Sequence, residues 1–317
     1  MTTTPTTTPR WTNWVGNQSF TPRQMIEIQA EEEIAPLIAQ AAAEGIGVRT
    51  PGTGHSFTPI VETEGLLLDL SRLRGILSID RERRQVTAWP KTTVGDFGDP
   101  LWEAGLALNN QGDIDTQAIA GAIATATHGS GLRLPNFSAT LVGGRFVDGL
   151  GNVVEVSAEE NADVLPALQT SLGLLGLMTR LTIQVAPAYE LHATHLLLPY
   201  EALIERFDEF VHNYRSFAFF WLPSDASAPL YCLDKGQADD CVIKLYQQAT
   251  PDTPREGLPD NQRIDRSYRI YPMHYDPNFH EVEYFLPMPH AREILCEMRK
   301  LMQRWLPLSV YPLEIRT

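Results

Sequence analysis

The chain has 317 residues, enough for two domains that each bury a core, and its 43 % hydrophobic and 20 % charged residues are those of an ordinary globular protein. A net charge of −14 and a pI near 5.0 leave no basic stripe to displace counterions from phosphates, which excludes nucleic acid as a partner. Three widely spaced cysteines, Cys232, Cys241 and Cys296, form no Cys-x-x-Cys pair, so neither a zinc site nor a disulfide framework is expected, and a reducing cytoplasm fits best.

The first ten residues are rich in Thr and Pro and lack the basic and apolar regions of a signal peptide, so residues 1–10 are expected to be a disordered tail. Gln29 to Glu44 reads as a helix with Glu31, Glu32 and Glu33 in its first turn, stopped by Gly45 and Gly47. Val48 to Thr50 reads as a short strand, followed by strands over Leu66–Leu70, Ile76–Asp80 and Gln85–Trp89. Val94–Leu106 has helical character that Pro100 limits, and Ile119–Ala124 is a short run of small and apolar residues. Ala139–Val147 and Val153–Ser157 flank Asp148-Gly149-Leu150-Gly151-Asn152, a hairpin signal. Glu160–Ser171 is helical in pattern and Leu177–Val185 is a strand.

Ala186-Pro187-Ala188 marks a boundary, giving domains at 11–187 and 188–317. Beyond it Phe217, Phe219, Phe220 and Trp221 cluster, and Thr250–Gln262 is a Pro-rich polar loop. Val282–Leu286 reads as a strand, His290–Trp305 as an amphipathic helix with a Leu295, Met298, Leu301, Met302, Trp305 core stripe, and Leu308–Thr317 as a closing strand. Strands predominate without regular βαβ alternation, which favours an α+β fold. No apolar run reaches the roughly 20 residues of a membrane span, which leaves only peripheral membrane association open.

Two small-residue loops each carry one histidine. Gly52-Thr53-Gly54-His55-Ser56-Phe57 begins like a dinucleotide fingerprint but holds Phe57 at the third glycine position and Pro59 where a helix should open, so Rossmann binding is not expected. Its glycines still allow successive amides to line up around an anion such as a pyrophosphate; the alternative is a plain turn between strands. Thr127-His128-Gly129-Ser130-Gly131 offers a second such nest. Near the end of the chain, Glu314 and Arg316 stand two apart in an extended context and share a face. Such a pair can hold substrate hydroxyls and stabilise a developing alkoxide, or can be a plain surface ion pair. His192 and His195 lie three apart on a strand and face opposite ways, so no metal site is expected.

These segments resemble the flavin-dependent vanillyl-alcohol-oxidase family, with its PCMH-type FAD-binding domain, and within it the aldonolactone oxidase and alditol oxidase branch. The motifs that carry the resemblance are Trp14-x-Gly16-Asn17, Pro51 through Phe57, Gly121 through Gly129, Ser171 through Gly176, Glu281-Val282-Glu283-Tyr284 and Pro312 through Arg316. The resemblance implies an FAD-binding domain of two α+β subdomains followed by a partial α+β substrate (cap) domain with an antiparallel sheet. It assigns FAD binding to Pro51, Gly52, Thr53, Gly54, His55, Ser56, Phe57, Gly121, Ala126, Thr127, His128, Gly129, Ser130, Gly173 and Gly176. His55 falls where covalent members bond the flavin, and Ala126 stands where the family often has glycine.

By the same resemblance Glu314 and Arg316 are the catalytic pair, holding a sugar lactone or polyol while hydride passes to flavin N5, with O2 as acceptor giving H2O2. Gly112 through Gln117 and Glu281 through Tyr284 look closer to the lactone-oxidising members. An alditol oxidase and an inactive flavin-binding homologue are the alternatives. Family members continue into a segment with a His-Trp-Gly-Lys motif that has no match here, so the chain is expected to be a natural truncation, an incomplete gene product or a protein that replaces the missing part by other means; separately, a monomer is expected.

Overall fold

The computed structural model describes residues 10–230, 233, 235–273 and 279–317. The tail expected over residues 1–10 lies, apart from Arg10, outside the described residues, as does Cys232. The chain divides into two compact units: one runs up to His128 and resumes over Pro135–Ala188, and the other joins Gly129–Leu134 to Tyr189–Thr317.

The first unit is α+β. Its strands are β1 (Trp11–Thr12), β2 (Ser19–Phe20), β3 (Gln24–Glu27), β4 (Val48–Arg49), β5 (Leu66–Asp69), β6 (Ile76–Asp80), β7 (Gln85–Ala88), β8 (Leu106–Ala107), β9 (Leu141–Asp148), β10 (Val153–Val156), β11 (Gly176–Gln184) and β12 (Ala186–Pro187). Its helices are α1 (Ile34–Ala43), α2 (Gly98–Glu103), α3 (Ile119–Ala124), α4 (Phe137–Thr140) and α5 (Leu165–Gln169). A parallel three-stranded sheet, β3-β5-β4, carries α1, and a five-stranded antiparallel sheet runs β10-β9-β11-β7-β6. Ile28, Ile34, Ile38, Leu68 and Leu70 form the core under α1 together with Val147 and Leu177 of the larger sheet. A separate core gathers Phe97, Leu101, Ile119, Ile123, Leu168 and Leu181 between that sheet and α2, α3 and α5.

Several elements are shorter than their sequence pattern suggests. The helix expected over 94–106 is a 3-10 turn at Gly95–Phe97, then α2, then β8, because Pro100 can sit only in a first helical turn. The pattern over 160–171 yields only α5, while the apolar run 119–124 is the helix α3. The hairpin at 148–152 closes as expected, with Gly151 at φ +86°.

The second unit holds β13 (Glu190–Pro199), α6 (Tyr200–Asn213), β14 (Ser216–Trp221), α7 (Ser227–Leu230), β15 (Asp240–Gln248), β16 (Gln262–Arg266), α8 (Ser267–Ile270), α9 (Ala291–Trp305) and β17 (Leu313–Arg316). Its sheet is antiparallel throughout, in the order β16-β13-β15-β14-β17. Phe217, Phe219, Trp221, Cys241, Ile243 and Leu245 alternate onto the face covered by α6, and Leu295 of α9 joins them. Of the expected stripe on α9, Leu295, Met298 and Met302 pack there, but Leu301 and Trp305 are exposed. The strand expected at 282–286 does not form: the segment joins no ladder, and Val282, Tyr284 and Phe285 are about four-fifths exposed at 79 %, 80 % and 80 %.

Among the described residues no helix is long and apolar enough to cross a membrane.

Candidate functional site

The first loop, Pro51 to Phe57, follows β4 and is held from outside by its carbonyls. Lys91 Nζ donates to Gly52 O at 2.9 Å, the Trp14 amide to Gly54 O at 2.9 Å and Asn13 Nδ2 to Ser56 O at 2.9 Å. Asn17 Nδ2 and Gln18 Nε2 both reach Phe57 O at 3.0 Å. Among the described residues no acceptor takes the amides of Gly52 through Ser56, so the donors of the loop are available to a ligand. Successive unused amides are what an anion-binding nest requires. Gly54 is at φ +79°, and a Cβ there would lie 3.2 Å from the Trp14 nitrogen, so both conformation and space call for glycine.

The second loop meets the first across two glycines. A Cβ on Gly52 would touch Ala118 Cβ at 3.6 Å and Gly121 Cα at 3.8 Å, leaving a gap one methyl deep between the two backbones. The Ala118 amide donates to Thr53 Oγ1 at 3.1 Å, tying the start of α3 to the first loop. α3 ends in a Schellman closure: the Ala126 amide bonds Ile123 O at 3.3 Å and the Thr127 amide bonds Ala122 O at 2.9 Å. The closure requires a left-handed residue, and Ala126 adopts φ +56° there, against the preference of an L side chain. The third loop docks on the same helix end, the Leu172 amide capping Ala124 O at 3.1 Å with Leu172 at φ +51° and Gly173 at φ +70°.

His55 lies half-buried in this cluster with its ring 5.0 Å from that of Trp14. Nε2 is 3.1 Å from Thr116 Oγ1, whereas the buried Nδ1 has no hydrogen-bond partner. Burial lowers its pKa below the ordinary histidine value, so the imidazole is neutral near pH 7 and keeps a lone pair. A buried ring nitrogen without a partner, beside unused loop amides and a glycine-lined gap, fits a cofactor carrying both a pyrophosphate and a flat ring system.

Four residues expected at the cofactor have structural contacts of their own. His128 closes the second loop, and its carbonyl lies 3.1 Å from where a Gly112 Cβ would stand. Gly129 and Ser130 group with the second unit, where the Ser130 hydroxyl donates to Phe217 O and accepts from the Thr317 amide at 3.3 Å. Gly176 opens β11, where a Cβ would sit 2.2 Å from Val147 O, so the strand pairing itself requires glycine.

In the second unit Glu314 and Arg316 stand on β17, on the face opposite α6 and α9, because Ile315 and Leu313 pack toward those helices. Arg316 is ion-paired with Glu283. Burial alone would disfavour its charge, but Glu314, Glu283 and Glu281 raise its pKa above the ordinary arginine value. Among the described residues no cluster of three or more His, Cys, Asp or Glu could hold a metal.

Sequence reasoning missed three residues. Lys91 belongs to no motif and Thr116 stands inside the Gly112–Gln117 segment without a role of its own there; only the fold brings them to Gly52 and His55. Lys244 did leave a signal: it is a charge inside the apolar run Cys241-Val242-Ile243-Lys244-Leu245-Tyr246, and it is buried on β15 at 5 % exposure.

Residues 22–157 match the family model of an FAD binding domain. L-gulono-1,4-lactone dehydrogenase of Mycobacterium tuberculosis is 32 % identical over 97 % of this chain and 77 % of its own length. D-arabinono-1,4-lactone oxidase of Eremothecium gossypii is 30 % identical over 67 % of this chain and 40 % of its own length, and L-gulonolactone oxidase of Scyliorhinus torazame is 29 % identical over 70 % and 51 %. The chain thus spans about half or less of those two oxidases. Among solved structures, a cholesterol oxidase of Brevibacterium sterolicum superposes with a TM-score of 0.79 at 14 % identity, over 97 % of this chain and 71 % of that one. A 6-hydroxy-D-nicotine oxidase of Arthrobacter nicotinovorans gives 0.64 at 16 % identity, over 78 % and 56 %. At these identities the two structures speak for the fold alone.

Proposed function

Because the chain belongs to the FAD-binding family of the Mycobacterium tuberculosis L-gulono-1,4-lactone dehydrogenase, we propose that it oxidises an aldonolactone of the L-gulono- or D-arabinono-1,4-lactone type at a CH–OH carbon. Dioxygen is the proposed final acceptor, leaving as hydrogen peroxide. The observation that carries this reading is the 32 % identity to that relative across 97 % of the chain.

The loop amides of Gly52 through Ser56 hold the FAD pyrophosphate, and the backbones of Gly121 through Thr127 and of Gly173 border the rest of the cofactor. Bound FAD supplies the two-electron acceptor for the hydride of the carbinol carbon. His55 offers its neutral Nδ1 as the attachment point of a covalent flavin. Glu314 accepts hydrogen bonds from substrate hydroxyls. Arg316, oriented by Glu283 and kept charged by three nearby carboxylates, faces the carbinol oxygen and stabilises negative charge as its proton leaves. Free Cys241 and Cys296 suit a reducing compartment, and the reading takes the protein as a cytoplasmic monomer.

Adding L-gulono-1,4-lactone or D-arabinono-1,4-lactone to the FAD-loaded protein without oxygen should bleach the flavin band near 450 nm. Readmitting oxygen should restore the band and release one peroxide per lactone. A flavin that neither lactone bleaches would reject the function, and one that reoxidises only with an artificial acceptor would reject oxygen alone. Precipitation in acid tests the covalent bond: flavin remaining entirely in the supernatant excludes it.

A further inference from the structure

Register on the second unit's sheet puts a second cation beside the catalytic pair. Ala218 of β14 pairs with Arg316 of β17 on one side and with Lys244 of β15 on the other, so all three share the face turned away from α6 and α9. Phe220, next along that face, pairs with Glu314. With about 4.8 Å between neighbouring strands, the Cα atoms of Lys244 and Arg316 stand about 10 Å apart, a span that two long side chains and a five-membered ring can bridge. Ala218 ends at Cβ, so the floor between the two cations is low. The Lys244 ammonium lies 5.5 Å from the centre of the Phe220 ring.

A lysine at 5 % exposure inside an apolar strand is costly to bury, and a hydrophobic residue there would serve packing alone. The charges also limit what this face can take. Lys244 and Arg316 are matched against Glu314, Glu283 and Glu281, so these five groups carry no net positive charge. A neutral sugar with a strong dipole suits such a face better than the carboxylate of the corresponding open-chain acid.

We propose that Lys244 is a specificity-determining residue, whose ammonium donates to the ring carbonyl oxygen of the lactone while Glu314 and Arg316 engage its hydroxyls. The inference rests on the lactone reading above and narrows it. A lactone carries a carbonyl beside the reacting carbinol, whereas an alditol has none, so the lysine rewards one class and not the other. A hydrogen bond from a charged donor to this oxygen sets discrimination at about 10- to 100-fold.

The test compares the KM for L-gulono-1,4-lactone with the inhibition constant of a 1,4-anhydroalditol, the same ring and hydroxyls without the carbonyl. In the wild-type protein the lactone should bind at least about 10-fold more tightly than the ring ether. Lys244→Met should raise the lactone KM by about 10- to 100-fold, leave kcat within a few-fold and leave the ether's inhibition constant unchanged, and Lys244→Arg should recover part of the loss. Flavin content of each variant, read from its absorbance, reports whether it folds. If wild type binds ether and lactone equally, the inference fails without any variant. It also fails if Lys244→Met weakens both ligands alike, or if it lowers kcat with KM unchanged. A wild-type flavin that no lactone reduces instead defeats the underlying reading.

Discussion

Lys91 Nζ donates to the carbonyl of Gly52 at 2.9 Å and lies 3.7 Å from Asp69 Oδ1. This contact fixes the first loop from behind, at the residue whose missing side chain lets the second loop approach. Burial lowers the pKa of Lys91, and Asp69 opposes the shift, so the amine is held by the loop and the carboxylate together. Lys91→Met keeps the stem and removes the donor. It should weaken FAD binding by about 10-fold, the value of one hydrogen bond to a charged group. Titrating the stripped protein with FAD and following fluorescence quenching checks this, and an unchanged dissociation constant would show that the loop is set without Lys91.

Ala126 is the one residue of the α3 closure whose side chain opposes its backbone. At φ +56° an alanine costs roughly 1–2 kcal/mol relative to right-handed geometry, while glycine there carries more unfolded-state entropy. Ala126→Gly should therefore stabilise the apoprotein by about 0.5–1 kcal/mol, measured as a higher urea midpoint with an unchanged slope. A lower midpoint would mean that the methyl packs better than the strain costs.

Glu31 is a carboxylate buried at the entry to α1, accepting from Thr179 Oγ1 at 2.6 Å, Arg180 Nε at 2.9 Å and Arg145 Nη1 at 3.3 Å. Burial alone would raise its pKa, but the Thr179 hydroxyl and the two guanidinium groups outweigh it and hold the folded value below 4.5. Because the folded pKa is depressed, the stability Glu31 contributes is present above its unfolded pKa and is lost as pH falls through the folded one. Glu31→Gln should cost about 1–2 kcal/mol at pH 7, and the gap to wild type should narrow as pH falls through the carboxylate range. Urea unfolding at pH 7, 5 and 3.5 tests this, and a gap that does not vary with pH would make the role of Glu31 one of shape rather than charge.

The parts of the fold legible in the sequence are those where local pattern and tertiary demand agree. The hairpin at 148–152 carries its turn chemistry in Asp148 and Gly151, and β17 places Glu314 and Arg316 on one face by its two-residue period. Where tertiary pairing decides, the pattern misleads. Segment 282–286 reads as a strand but joins no ladder among the described residues, and the Ser130 hydroxyl, within the second glycine loop, is turned to Phe217 O. The contacts of Thr116 and Lys91 were not legible, since those with His55 and Gly52 span 61 and 39 residues and leave no local trace.

Arg316 and Glu283 separate charge from orientation. Their ion pair fixes the guanidinium from the irregular segment that precedes α9, 33 residues away in sequence. On the proposed reading the arginine supplies the positive charge that meets the developing alkoxide, so Arg316→Ala should lower kcat by about 10²–10³-fold on a lactone that wild type oxidises. Glu283→Gln keeps the arginine and loosens its hold, so its loss should be smaller, about 10-fold, and should appear in both kcat and KM. Stopped-flow flavin reduction measures the chemical step directly, and an unchanged flavin spectrum certifies that each variant still folds around its cofactor. Near-normal reduction by Arg316→Ala would remove the residue from the catalytic pair, while equal losses in the two variants would mean that the orientation of the guanidinium matters as much as its presence.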